Sequence, residues 1–283
     1  MHEEIQYLDL IRHLIDRGDY ETGRNGATYS LFGRQMRFSL QDGTIPLLTT
    51  KKLAWKTCFR ELMWFIRGDT DNRHLNAEGV HIWDKNASID RPISGDLGPI
   101  YGHQWRHFGA NYIDCNTDYS GKGIDQLQNV IDQLKDPCKR TSRRLIISAW
   151  NPVQLDEMAL PPCHVLMQFN VRRGTHLSCS LYQRSGDIGL GVPFNIASYS
   201  FLTHLLAKHC GLVADEFIYT LGNAHIYEEH ILALSEQVLR TPLPFPKIQI
   251  KEVHERIEDY SVGDIEFIEP YQSHDVVKMD MIA

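Results

Sequence analysis

The chain has 283 residues, 42% apolar and 23% charged, the balance of a globular protein able to bury a core of its own. A net charge of −7 excludes broad, non-specific nucleic-acid binding, which needs many cations against phosphate, but leaves room for a local anion site. Six cysteines (Cys58, Cys115, Cys138, Cys163, Cys179, Cys210) form no CxxC pair, so neither a disulfide framework nor a zinc site is indicated, and no metal is expected.

In chain order, residues 3–17 place Ile5, Leu8, Ile11, Leu14 and Ile15 on one helical face and stop at Gly18, which predicts an amphipathic helix. Residues 55–66 predict a more apolar helix interrupted by Glu61, and 124–134 a surface helix. Residues 164–171 alternate with the period of a strand, Arg173-Gly174 reads as a turn, and 176–183 alternate again, so the two form a hairpin. Helices are expected over 194–209 and 224–239, and short strands over 216–221, 247–250 and 264–268. Without regular βαβ alternation the fold class is α+β, a mixed or antiparallel sheet packed by helices. No repeat or linker divides the chain, so 1–283 is expected to be one domain. No apolar stretch approaches the roughly 20 residues of a membrane span, and Met1-His2-Glu3-Glu4 is no basic-then-apolar leader; the expected setting is intracellular, cytoplasmic and off the membrane.

The chemistry-bearing residues each have a plain structural reading. Two prolines in Leu160-Pro161-Pro162-Cys163-His164 immobilise a cysteine at the mouth of a strand, where a small buried hydrophobe is the commoner role. A reactive thiol needs nearby positive charge, and the hairpin pairing brings Arg184, in Gln183-Arg184-Ser185-Gly186-Asp187, beside it. Asn195 ends a Gly- and Pro-rich loop and suits a helix N-cap. Glu61 suits a satisfied structural carboxylate, Tyr101 a packed tyrosine, and His225 and Tyr227 one face of a helix start. The run Lys139-Arg140-Thr141-Ser142-Arg143-Arg144 suits a solvated face.

Taken together, LPPCHVLMQF from Leu160, LYQRSGD from Leu181, LGVPFNIASY from Leu190 and LGNAHIY from Leu221 resemble the thymidylate synthase family in order and spacing. So do Leu31-Phe32-Gly33, Pro46-Leu47-Leu48-Thr49-Thr50-Lys51, Glu61-Leu62-Met63-Trp64-Phe65-Ile66-Arg67-Gly68, Asp96-Leu97-Gly98-Pro99-Ile100-Tyr101-Gly102 and Ser142-Arg143-Arg144, nearly the whole chain. The resemblance implies the family's fold, with a face of the sheet used for dimerisation, and reductive methylation of dUMP to dTMP by 5,10-methylenetetrahydrofolate.

It further implies Cys163 as the thiolate adding to uracil C6, with Arg184 and Asp187 beside it, and a water network at O4 held by Glu61 and His164. Asn195 would read the base: its amide accepts from N3–H and donates to O4 of uracil, the opposite of what cytosine presents. Tyr101 would assist removal of the C5 proton. Phosphate would be held by Arg24, Arg184 and Ser185, joined by Arg143 and Arg144 of the other subunit of a homodimer; Gln183, Asp187, Asn195, His225 and Tyr227 complete the nucleotide set. The folate would meet Ile82, Trp83, Asp187, Leu190, Gly191, Phe194 and Ala283, under a closing carboxyl-terminal tail. The chain departs from the family wording at Asn25-Gly26-Ala27-Thr28-Tyr29 after Arg24, at Asn223, and at Pro270-Tyr271-Gln272-Ser273-His274-Asp275. The rival readings are a deoxypyrimidine-nucleotide hydroxymethylase of the same fold and an RNA-binding regulator; in the main reading RNA binding would be secondary.

Overall fold

Apolar spacing at the start of the chain produces α1 (Ile5–Arg17), which buries Tyr7, Leu8, Leu10, Ile11 and Leu14 against the rest of the protein. The structure is a computed structural model that describes residues 2–23, 25–87 and 91–282. After α1 come a hairpin of β1 (Asp19–Gly23) and β2 (Gly26–Ser39), then α2 (Trp55–Ile66), α3 (Asn72–Ala77), α4 (Asp84–Ala87), α5 (Tyr101–His107) and α6 (Gln126–Lys135). The second half holds β3 (Ile146–Ser148), β4 (His164–Arg172), β5 (His176–Asp187), α7 (Gly191–His209), β6 (Val213–Tyr227), α8 (Ile231–Gln237), β7 (Lys247–Ile250) and β8 (Ile265–Glu269).

Among the described residues, six strands form one sheet in the order β1-β2-β6-β5-β4-β3, and β7 pairs with β8 separately. Only β5 and β6 run parallel within the sheet; its other pairs are antiparallel. The α+β class with a mixed sheet packed by helices is therefore what the chain adopts. The β4–β5 hairpin turns through Arg173 (φ 55°) and Gly174 (φ 72°), with the Thr175 N–H returning to the Arg172 carbonyl; two left-handed residues match the twist of the strands they join. α7 crosses from β5 to β6 and is buried on nearly every side, so it shows no polar stripe. Phe201 on α7 meets Phe59 of α2 edge to face at 5.3 Å, and Cys58 of α2 lies 3.3 Å from the Phe194 carbonyl.

The expected helix over 224–239 is wrong at its start. Residues 224–227 complete β6, which pairs with β2 on one side, and with β5 on the other as far as His225. That ladder outweighs a helical apolar spacing, and the helix is confined to α8. The expected strand 216–221 is likewise the middle of the longer β6, and α7 begins at Gly191, ahead of the expected 194. α6 starts at Gln126, where the Asp125 side chain accepts from the Gln128 N–H at 2.9 Å. No helix of the described residues is long and apolar enough to cross a membrane.

Candidate active site

Because β4 is antiparallel to β5 while β6 is parallel to it, the start of β4 and the ends of β5 and β6 meet at one edge of the sheet. The first turn of α7 opens there as well, with Gly191 beside Asp187. Cys163 sits just before β4. The Arg184 N–H donates to its carbonyl at 2.9 Å, and the Arg184 guanidinium donates to the carbonyls of Pro162 and Pro161, each at 2.9 Å. The two prolines thus hold the cysteine and also anchor the arginine, which lies over the Trp150 ring at 5.8 Å.

Burial pushes the half-buried Cys163 thiol above its ordinary value, and Arg184 is the charge that pulls the other way. The Tyr101 hydroxyl accepts the N–H groups of Cys163 and His164 at 2.8 and 3.4 Å. Its ring packs 4.9 Å from His164, and burial keeps the phenol protonated by raising it well above the usual value. His164 is lowered to about 4 by burial, with Asn195 opposing, so the imidazole is neutral at physiological pH.

Glu61 faces this group from α2. Burial raises it to about 7, against a 2.7 Å hydrogen bond that its carboxylate accepts from the Trp83 indole. Trp83 in turn lies 6.2 Å from the Tyr101 ring, so the carboxylate, indole and phenol share one wall. Asn195, on the first turns of α7, is buried; the Tyr219 hydroxyl stands 3.4 Å from its Oδ1 and donates to Gln183 Oε1 at 2.6 Å. Gln183 donates on to the Ser185 carbonyl at 2.9 Å, so Tyr219, Gln183 and Ser185 form one paired chain at the strand ends.

Asp187 ends β5 opposite His225 of β6 and accepts the Gly189 N–H at 2.8 Å. The His225 ring is 5.4 Å from that of Tyr227, and burial lowers its pKa against the pull of Asp187. Ile82 and Phe194 are half-buried at the core's border, and Leu190 is half-buried beside Phe194 in the cleft. That cleft, of about 800 Å³, is lined by Lys51, Lys52, Leu190, Phe194, Val276 and Met279 among others. The tail folds back here: the Lys85 ammonium donates to the Met281 carbonyl at 2.6 Å.

Cys163, His164, Tyr101, Glu61, Trp83, Asn195, Gln183 and Arg184 are thus linked by the contacts above, with Ser185, Asp187 and His225 at the adjoining strand ends. Arg143 and Arg144 are exposed before β3, and among the described residues neither makes an ion pair. Arg24 and Ala283 lie outside the described residues. Two participants escaped the sequence reading. Lys51 is buried, its ammonium donates to the Gly189 carbonyl, and burial lowers it to about 8 against Asp187 and Glu4. His230 is buried between Asp187 and the tail. Lys51 ends the run Pro46-Leu47-Leu48-Thr49-Thr50-Lys51 with no local sign of its burial, and His230 has the pattern of an ordinary polar helix residue.

The family model of thymidylate synthase matches residues 5–283. The thymidylate synthase of Saccharomyces cerevisiae is 51% identical over 99% of this chain and 97% of its own length. The human thymidylate synthase is 52% identical over 99% of this chain and 91% of its own, and that of human herpesvirus 8 type P is 50% identical over 99% and 84%. With a matching family model along almost its whole length and identities near one half, the chain belongs to the thymidylate synthase family.

Proposed function

We propose that the chain converts dUMP to dTMP by the reaction of its family, with Cys163 as nucleophile. The observation that carries the residue roles is the set of contacts at the mouth of β4: Cys163 is held by Arg184 and Tyr101, Tyr101 lies in the field of Glu61, and the adjoining His164 meets Asn195. Identity near 50% with thymidylate synthases supports the reaction itself and does not favour the hydroxymethylase or RNA-binding readings.

In this reading the Cys163 sulfur bonds to uracil C6, and the C5–C6 π electrons move to O4 as an enolate that makes C5 nucleophilic. The thiol is protonated in the free protein, so the proton must leave as the nucleotide binds, helped by Arg184. Asn195 donates to O4 and accepts from N3–H, and a Glu61 titrating near 7 can both give and take a proton in the network with His164. Tyr101, anchored by two backbone amides, assists departure of the C5 proton. Arg24, Arg184 and Ser185 bind the phosphate with Arg143 and Arg144 of a second copy, and His225 and Tyr227 hold the ribose 3′-hydroxyl. Exposed Phe32, Ile146, Leu166 and Tyr182 on the sheet support pairing of two chains through that face.

Methylenetetrahydrofolate supplies the carbon and the hydride. The apolar border beside Asp187 suits a pterin, which needs flat apolar walls and one carboxylate facing its ring N–H groups. Ile82, Trp83, Asp187, Leu190, Gly191, Phe194 and Ala283 would hold it, with the tail excluding water. The cytoplasmic setting belongs to the same reading. Incubation with dUMP and methylenetetrahydrofolate, with mass spectrometry of the nucleotide and absorbance of the folate, should give dTMP and equal dihydrofolate. Hydroxymethyl-dUMP with tetrahydrofolate would overturn it.

A further inference from the structure

His230 begins the turn into α8 and is 1% exposed. Its Nε2 lies 2.8 Å from the Asp280 carbonyl, which can only accept, so Nε2 carries the proton and donates to the tail. The other ring nitrogen, Nδ1, points at Asp187 Oδ1 from 3.9 Å, is buried, and has no hydrogen-bond partner among the described residues. The ring is fixed by Tyr227, which meets it edge to face at 5.6 Å. Gly189 closes the remaining side: a Cβ there would stand 2.8 Å from Nδ1, 3.2 Å from Asp187 Oδ1 and 3.2 Å from the Met279 sulfur. One imidazole thus touches the tail with one nitrogen and faces a strand-end carboxylate with the other, in a spot too tight for any residue but glycine at 189.

We propose that His230 is a positioning residue that latches the closed tail and sets its position relative to the Asp187 carboxylate, so that folate binding and tail closure act together. The inference rests on the reading of Asp187 as a folate contact. A bond from a rigid, buried ring to a backbone carbonyl is independent of the tail's side chains. It fixes the height at which the tail closes, whereas the exposed Lys85 contact with Met281 adds a second, weaker tie. The nucleotide is held by other residues, so loss of the latch should weaken folate handling and leave dUMP binding nearly intact.

His230→Gln and His230→Asn separate the bond from mere packing. Both keep a buried amide; the longer glutamine places its nitrogen where Nε2 stands, while asparagine ends near Nδ1. Losing one buried hydrogen bond corresponds to about a tenfold change, so the asparagine variant should show a KM for methylenetetrahydrofolate raised about tenfold. Its KM for dUMP should stay within about twofold, and glutamine should recover most of the loss. Deuterium uptake of the tail peptide over 276–282, measured without substrates, should rise in the asparagine variant and stay low in the glutamine one. In the proposed reaction the transferred carbon stands on C5 as an exocyclic methylene after the folate nitrogen has left and before hydride arrives, and with 2-mercaptoethanol present the looser tail should let thiol reach it. The thiol sulfur then bonds to that carbon, the C6–S bond breaks as C5=C6 reforms, the thiol's proton ends on the released Cys163 sulfur, and a thioether nucleotide appears in place of dTMP.

Equal kinetics and equal tail exchange in the two variants would overturn the latch. So would an equal rise in both KM values. If unmutated protein makes no dTMP, the functional reading fails while the exchange comparison still judges the latch. In the unmutated chain the His230 ring N–H should give a slowly exchanging NMR signal that is lost when residues 280–283 are removed. A signal indifferent to that truncation would also overturn the proposal.

Discussion

Burial pushes the Cys163 thiol above its ordinary value while Arg184 pulls the other way, so in the proposed reaction the thiolate forms as the nucleotide binds. Cys163→Ser should cut turnover by more than about a thousandfold while dUMP binding, read by calorimetry, changes little. Turnover near the unmutated rate would remove Cys163 from the role given to it. Glu61 makes a separate prediction about stability. Below its ordinary value of 4.5, folded and unfolded chains both hold the proton; as pH rises towards 7 only the unfolded chain releases it. The folded state therefore loses stability across that window, by about 3 kcal/mol, and the loss levels off once the folded group ionises too. Glu61→Gln should abolish the decline in urea melts taken from pH 5 to 8, and should lower kcat about a hundredfold. A parallel decline in both proteins would mean that burial does not hold the proton on Glu61. Asn195→Asp should shift base preference from dUMP towards dCMP, because a protonated carboxylic acid reverses the donor and acceptor that the base edge meets. An unchanged ratio of kcat/KM values would sink that account.

At the scale of elements, α5 shows how a short helix places a side chain of the proposed site. Tyr101 is its first residue, and Gly102 packs so closely that a Cβ would lie 2.6 Å from the Asp69 carbonyl and 2.9 Å from the Gly68 carbonyl carbon. Both obstacles are backbone, so the helix itself must move. Gly102→Ala should cost about 1–3 kcal/mol in thermal melts and reduce kcat more than it raises KM, since Tyr101 would leave the Cys163 amide. An alanine variant with ordinary melting and kcat would show that α5 tolerates displacement. The same scale explains what could be read ahead of the structure. α1 and the β4–β5 hairpin have one well-buried face each, which leaves a clear period in the sequence, while α2, buried on every side over 61–66, shows instead as a long apolar run. β1 and β2 escaped because β1 is wholly exposed, and β2 is a long strand whose buried residues fall at irregular intervals around Gly33. Residues 224–227 misled because their conformation is decided by strands β2 and β5 on either side, far away in sequence.

At the scale of the whole molecule, the sheet has one face under α7 and another on which Leu166 and Tyr182, partners in register across β4 and β5, remain exposed with Ile146 and Phe32. Apolar groups on a sheet face are the ordinary material of a chain-to-chain contact, and the exposed Arg143 and Arg144 precede the edge strand β3. Phe32 is 80% exposed, so Phe32→Glu should leave the fold intact, convert the proposed dimer to monomer in sedimentation, and abolish dTMP formation by withdrawing the arginines proposed to come from the second copy. A fully active monomer would refute the shared site.

The local order of residues determined much of this by itself: the mixed α+β class, the helices with one apolar face, and a cysteine made rigid by two prolines beside an arginine across a hairpin. Those features depend on neighbours within a few residues or on one turn. The motifs that resemble the family pointed further, to Glu61, Tyr101 and Asn195 as one set. Only the tertiary structure decided that Glu61 is buried against Trp83 and titrates near 7, that Lys51 reaches the Gly189 carbonyl, and that His230 stands between Asp187 and Asp280. Each is a matter of which distant groups share a dry space. Desolvation and hydrogen-bond pairing depend on that enclosure, which no stretch of sequence carries locally.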